Sequence, residues 1–237
     1  MYNFHMDFSG WEKLSLLDYD DHIVTTLFMA GCDFRCPFCH NSSLVLEPAK
    51  APKISWQEIM EYLKKRKGVI DAVCVSGGEP TVMPDLEDKL RDIKSLGYEV
   101  KLDSNGSRPN VLKELIEKKL VDYVAMDIKN SPQKYIVTAG MPSISFDAIA
   151  SSIKILMESG IGYEFRTTSI AEYHTNKDFE EIGKIIKGAD KYFIQRYIDS
   201  ENCIAHGLHP LTKEKALEAK AIMERYVKCV ALRGYDI

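Results

Sequence analysis

The chain has 237 residues, enough for one large α/β domain or two small ones. Apolar residues make up 45% and charged residues 28%, as in an ordinary globular protein, and the net charge of −4 lacks the basic excess of a nucleic-acid binder. No run of 18 apolar residues occurs, so no membrane-spanning helix is expected, and residues 1–7 show no basic segment followed by an apolar one, so no secretory signal is expected.

Taken in chain order, strand and helix patterns alternate. "IVTTLFMA" (23–30) is β-branched and apolar and reads as a buried strand. It runs into "GCDFRCPFCHN" (31–41), where three cysteines fall within eight residues. "SWQEIMEYLKKRKG" (55–68) opens on Ser55 as a cap, carries Ile59, Met60 and Leu63 on one face and stops at Gly68, a helix. "DAVCVSGGEP" (71–80) is a strand running into a glycine turn, and "DLEDKLRDIKSLG" (85–97) a helix with a glycine stop. "YEVKLDSNG" (98–106) is a strand ending in a turn, "NVLKELIEKK" (110–119) a helix and "VDYVAMDIK" (121–129) a strand. A helix over 145–160, a strand over 161–169, a helix over 176–188 and a strand over 190–198 follow. The last helix covers 212–227, and "CVALRG" (229–234) has the pattern of a final edge strand.

Six strands alternating with helices imply parallel pairing and right-handed crossovers. Six units are too few for a closed eight-stranded barrel. The count suits an open, curved partial barrel, with a flat doubly wound sheet as the competitor; in either, ligands sit beyond the carboxyl ends of the strands. The residues that break the apolar patterning fall there. The cysteines, Gly77-Gly78-Glu79, Asp103-Ser104-Asn105-Gly106, Asp127-Ile128-Lys129, Arg166 and Gln195 all lie at or just past the ends of successive strands.

Cys32, Cys36 and Cys39 offer three thiols with no nearby fourth. In a chain expected in the reducing cytoplasm this pattern favours metal over disulfides. Structural zinc normally takes four ligands, often as two separated pairs; His40, directly after the third cysteine, would have to fold back sharply to complete such a set. An iron–sulfur cluster held by three thiolates leaves one iron for another ligand. Cys74, inside an apolar strand, reads as a core thiol. Cys203 and Cys229 are far apart, so a single cluster is expected.

The spacing Cys32-x-x-x-Cys36-x-x-Cys39 resembles the signature of the radical S-adenosylmethionine family. The resemblance spans roughly residues 14–234 and implies an α/β fold, a partial (β/α)6 TIM-like barrel of the radical SAM type, with 1–237 as a single domain. It also implies that the cluster's open iron chelates the amino and carboxylate groups of S-adenosylmethionine. Phe38 matches the family's adenine-side aromatic, and Gly77-Gly78-Glu79 its GGE motif. In the latter, glycines let carbonyls approach the ligand's ammonium and the glutamate adds negative charge. Asp103-Ser104-Asn105-Gly106 is similar to an activase stretch that contacts the ribose and a nearby monovalent cation. Asp127 would share that cation, and Lys129 would meet the methionine carboxylate, a charge-assisted contact. Arg166 and Gln195 read either as ligand contacts or as interior hydrogen-bond partners. His206 and His209 read as loop residues, with gating of the mouth as the alternative.

Cys39-His40-Asn41 resembles the Cys-His-Asn ending of activases of glycyl-radical enzymes, and "LSLLDYDDHIVTTLFMAGC" (14–32) the start of activases of anaerobic ribonucleotide reductase. The chain departs from many activases in having no Pro-Gly in "RTTSIAEYHT" (166–175). The resemblance implies an enzyme that takes electrons from a flavodoxin or ferredoxin and makes a glycyl radical on a partner protein, without nucleic acid or membrane. Anaerobic ribonucleotide reductase is the first expected partner and a pyruvate formate-lyase-type enzyme the second. The alternatives are a radical enzyme acting on a small molecule, similar to a deazaguanine-forming synthase, and a zinc module or electron carrier without catalysis.

Overall fold

The computed structural model describes residues 8–236; the opening segment 1–7, in which no secretory signal is expected, lies outside the described residues. The chain forms two compact units, residues 8–33, 41–104 and 110–124 in the first, and 34–40, 105–109 and 125–236 in the second.

The first unit contains β1 (Phe8–Ser15), β2 (Val24–Met29), α1 (Ser42–Leu46), α2 (Trp56–Lys65), β3 (Ala72–Gly77), α3 (Leu86–Ser95), β4 (Glu99–Ser104), nearly all of α4 (Pro109–Glu117), and the start of β5 (Tyr123–Asp127). β2, β3 and β4 pair in parallel, with Val24 opposite Ala72 and Ala72 opposite Glu99. Their interiors are buried on both faces, as continuous β-branched and apolar runs require. β1 pairs antiparallel to β2 and was not expected from the sequence. Its residues FSGWEKLS include a glycine and two charges, and burial fades toward its end, so no clean alternation marks it. Tertiary contacts hold it. Trp11 Nε1 donates to Thr25 Oγ1 at 2.8 Å, and the Tyr62 hydroxyl of α2 donates to the Lys13 carbonyl at 2.6 Å. Ser55 does precede α2, but its side chain makes no capping hydrogen bond. The helix is held instead by the buried Ile59 and Leu63, with Met60 only half-buried.

The second unit contains the end of β5, α5 (Tyr135–Ala139), α6 (Phe146–Glu158), β6 (Gly162–Ser169), α7 (Asn176–Ile185), β7 (Lys191–Arg196), α8 (Lys213–Met223) and β8 (Cys229–Arg233). β6, β7 and β8 pair in parallel, so the segment at 229–234 is a strand as the pattern suggested. Within each unit the strands follow chain order. That winding belongs to a barrel wall; a doubly wound sheet reverses its strand order. The short helices α1 and α5 follow the cysteine loop and β5, and their five residues are too few to show a period in sequence. Among the described residues no helix is long and apolar enough to cross a membrane.

Candidate active site at the strand ends

In the first unit the glycine turn after β3 explains itself sterically. Gly77 has φ +114°, and a Cβ there would lie 2.2 Å from the Met29 nitrogen; a Cβ on Gly78 would lie 1.9 Å from the Gly31 carbonyl oxygen. The two backbones cross in direct contact, with Gly78 N–H donating to the Met29 carbonyl at 2.9 Å and Glu79 N–H to the Gly31 carbonyl at 2.9 Å. These bonds fix the chain one residue before Cys32. Past the loop, Asn41 Nδ2 donates to the Gly77 carbonyl at 2.8 Å, so the same turn also holds Asn41. Sequence reasoning gave the glycines to cofactor approach; here they serve first to clamp the cysteine loop.

The Glu79 side chain is fully buried and accepts at Oε1 from Thr81 N–H (3.1 Å), from the Thr81 hydroxyl and from Ser104 Oγ (2.9 Å). It thereby ties the end of β4 to the glycine turn. Asp103 accepts from Ser76 Oγ at 2.8 Å and from Lys101 Nζ at 2.9 Å. Lys101 is nearly inaccessible, 4.0 Å from the Cys74 sulfur, and the sequence had not singled it out.

In the second unit residues 34–40 are laced to their surroundings through backbone groups. Arg35 N–H donates to the Ala139 carbonyl (2.9 Å), Ala205 N–H to the Pro37 carbonyl (2.7 Å) and Ile204 N–H to the Cys39 carbonyl (3.2 Å). His40 Nε2 donates to the Ile198 carbonyl at 2.7 Å. Cys36 is buried and Cys39 half-buried, and none of the six cysteines forms a disulfide. Burial pushes the Cys36 thiol up to about 11; the Lys129 ammonium opposes that and Cys39 adds to it.

Lys129 organises this side. Its Nζ lies 2.8 Å from Asp127 Oδ2 and 6.0 Å from the centre of the Phe38 ring, a cation–π distance. Asp127 also receives Arg166 Nε at 2.6 Å on Oδ1. Burial works against the Asp127 carboxylate, yet Arg166 and Lys129 hold it below the usual carboxylate range. Burial likewise works against the Lys129 ammonium, and Asp127 and Cys36 more than compensate, so its pKa is raised. Asn105 Oδ1 accepts from Ser107 N–H at 2.9 Å, an Asx turn at the end of 103–106. Gln195 is half-buried on β7, opposite Thr168 of β6, and its carbonyl accepts from Ser169 Oγ. His206 and His209 are exposed and lie beside Asp199 (3.5 Å) and Glu172 (2.7 Å), as loop residues do.

Besides Lys101, two groups were missed in sequence. His174 is buried, with Nε2 donating to the Lys129 carbonyl at 2.9 Å and Nδ1 accepting from Ile170 N–H at 3.0 Å. Its neutral imidazole fixes the chain at Lys129, and burial lowers its pKa. Tyr135 is buried on α5, and its hydroxyl has no hydrogen-bond partner. A lone histidine or tyrosine in a mixed segment carries no local signal of such a role.

Among the described residues no group of three His, Cys, Asp or Glu is gathered as a single-ion site. The donor set suits a thiolate-held cluster instead. It has three thiols outside any disulfide on one loop, a lysine ammonium that opposes the effect of burial at Cys36, and a buried tyrosine hydroxyl at Tyr135.

Residues 26–187 match the Radical SAM superfamily, and the chain belongs to it. It is therefore an enzyme of the class whose working groups are a [4Fe–4S] cluster and S-adenosylmethionine. A Methanocaldococcus jannaschii protein, named as a candidate glycyl-radical enzyme activating enzyme, is 32% identical over 231 residues, 95% of each chain. A Staphylococcus aureus pyruvate formate-lyase-activating enzyme is 32% identical over 130 residues, 49% of this chain and 51% of its own. The solved structure of Streptococcus suis SuiB bound to S-adenosylmethionine is similar in fold, with a TM-score of 0.65 at 15% identity, covering 86% of this chain and 48% of that one.

Proposed function

We propose that this chain is an activating enzyme that creates a glycyl radical on a partner protein. One observation carries the reading: the archaeal relative named for that activity matches end to end, 95% of each chain. The Staphylococcus activating enzyme supports the same class over half the chain. When bound, the cluster and S-adenosylmethionine supply a 5′-deoxyadenosyl radical able to remove a Cα hydrogen from glycine.

The chain's own residues bind and orient. Cys32, Cys36 and Cys39 would hold the single cluster, and Lys129, which offsets the thiolate charge at Cys36, would present a donor for the methionine carboxylate. Phe38, beneath that ammonium, takes the adenine side. Arg166 keeps Asp127 ionised and Lys129 aimed. Gly77, Gly78 and Glu79 hold the loop and bring backbone and negative charge toward the ligand's ammonium. Ser104 and Asn105 would meet the ribose, and Gln195 would be a further ligand contact. Orientation of this kind is worth about 7–11 kcal/mol of barrier. A monovalent cation at Asp103 and Asp127 would meet carboxylates that already carry lysine or arginine partners.

Within this reading 1–237 acts as one radical SAM domain in the cytoplasm, reduced by a flavodoxin or ferredoxin. The partner is anaerobic ribonucleotide reductase, as the stretch 14–32 suggests; a pyruvate formate-lyase-type enzyme is the second target to try. The test is anaerobic. The reconstituted enzyme is mixed with reductant, S-adenosylmethionine and each glycyl-radical enzyme in turn, and the expected result is a glycine-centred doublet in the electron paramagnetic resonance spectrum. Cofactor cleavage that turns over a small substrate, with no doublet on any protein, would overturn the activase reading.

A further inference from the structure

The resemblance assigns a bound monovalent cation to Asp103, and the residues around Asp103 do not fit one. We infer that Lys101 supplies that positive charge from within the chain, so that cofactor binding needs no alkali cation. The inference rests on the superfamily's cofactor and is independent of which protein is the partner.

β4 carries Lys101 and Asp103 two residues apart, and so on one face of the strand. The lysine side chain is 5% exposed and the carboxylate 15%. Nζ donates to Asp103 Oδ1 at 2.9 Å, and Ser76 Oγ, from β3, donates to Oδ2 at 2.8 Å. Both oxygens thus hold donors, and the carboxylate charge is matched inside the protein. In the register of the two strands Cys74 lies opposite Lys101, and its sulfur is 4.0 Å from Nζ. A buried ammonium requires a counter-charge, and a second cation on the same carboxylate would repel it across a dry interior. Asp127, in the second unit, is matched separately by Arg166 and Lys129.

The test compares potassium, sodium and choline chloride at equal ionic strength. For the wild-type holoenzyme, S-adenosylmethionine affinity by equilibrium dialysis should agree within about twofold in all three. Lys101→Met, similar in size but neutral, removes that ammonium from the Asp103 carboxylate. Its affinity should fall about tenfold in choline and recover in potassium. Melting of the cluster-free full-length chain gives a second readout that needs no cofactor: wild type should be indifferent to the cation, and Lys101→Met should melt higher in potassium than in choline. If Lys101→Met fails to fold, Lys101→Met combined with Asp103→Asn removes both charges and should fold with no cation dependence. A tenfold loss of wild-type affinity in choline would overturn the inference. So would a Lys101→Met enzyme that binds normally in choline, or one whose loss no alkali cation restores. Failure of the wild type to bind S-adenosylmethionine in any salt would count against the cofactor assignment, and the melting comparison would still decide the ion pair.

Discussion

Cys36 and Cys74 are both buried thiols; Cys36 is the proposed cluster ligand and Cys74 the expected core thiol. Cys36 sits on the loop beneath the influence of Lys129, whereas Cys74 lies inside β3. Cys36→Ala should abolish cluster-dependent cleavage of S-adenosylmethionine, read as loss of 5′-deoxyadenosine. Cys74→Ala should cost about 1 kcal/mol in chemical denaturation and leave cleavage intact. A Cys36→Ala protein that kept a full cluster and cleaved the cofactor would refute the ligand assignment. Gly78→Ala tests the clamp. The new methyl would strike the Gly31 carbonyl at 1.9 Å, a backbone atom that moves only with Cys32. A loss of about 3 kcal/mol and a lowered iron content after reconstitution are expected. The cysteines, the double glycine and Asp127-Ile128-Lys129 were legible because their chemistry ties residue type to spacing. Lys101, Tyr135 and His174 were not: nothing in the local sequence says that Lys101 and Asp103 are buried together, that Tyr135 is buried, or that His174 reaches the Lys129 carbonyl.

At the scale of elements, the six central strands and the longer helices followed from apolar period and glycine stops. β1 did not, because an edge strand with one wet face and a glycine lacks alternation. Capping reversed expectation in detail: Ser55 leaves α2 uncapped by its side chain, whereas Thr175 and Asp178 form a reciprocal capping box at α7. Asp178 also accepts from Ser131 Oγ at 2.9 Å and from Lys134 Nζ at 2.6 Å, tying the segment after β5 to α7. Burial works to raise its pKa, but Lys134, Thr175 and Ser131 lower it overall. A carboxylate depressed in the folded state contributes stability that is present above its unfolded pKa and lost as pH falls through the folded value. The contribution should therefore fade below about pH 4. Asp178→Asn should cost about 1 kcal/mol at neutral pH and flatten the acid limb of a denaturation series on the cluster-free protein. An unchanged acid limb would remove Asp178 from that role.

For the whole molecule, one cluster per chain is expected, because Cys203 is buried against the Ile198 carbonyl and Cys229 is exposed on the terminal strand. Anaerobic reconstitution should yield about four irons and four acid-labile sulfides per chain; zinc without sulfide would end the radical reading. The sequence by itself determined the superfamily, the alternation of strand and helix and the three thiols, since cluster chemistry constrains local spacing and buried parallel strands constrain local composition. Only the tertiary structure decided why two glycines follow β3, which side chains hold Lys129 in place, and that Asp103 is countered by a lysine of its own strand. Those depend on the approach of distant backbones and on which charges end up buried together, and the order of neighbouring residues fixes neither.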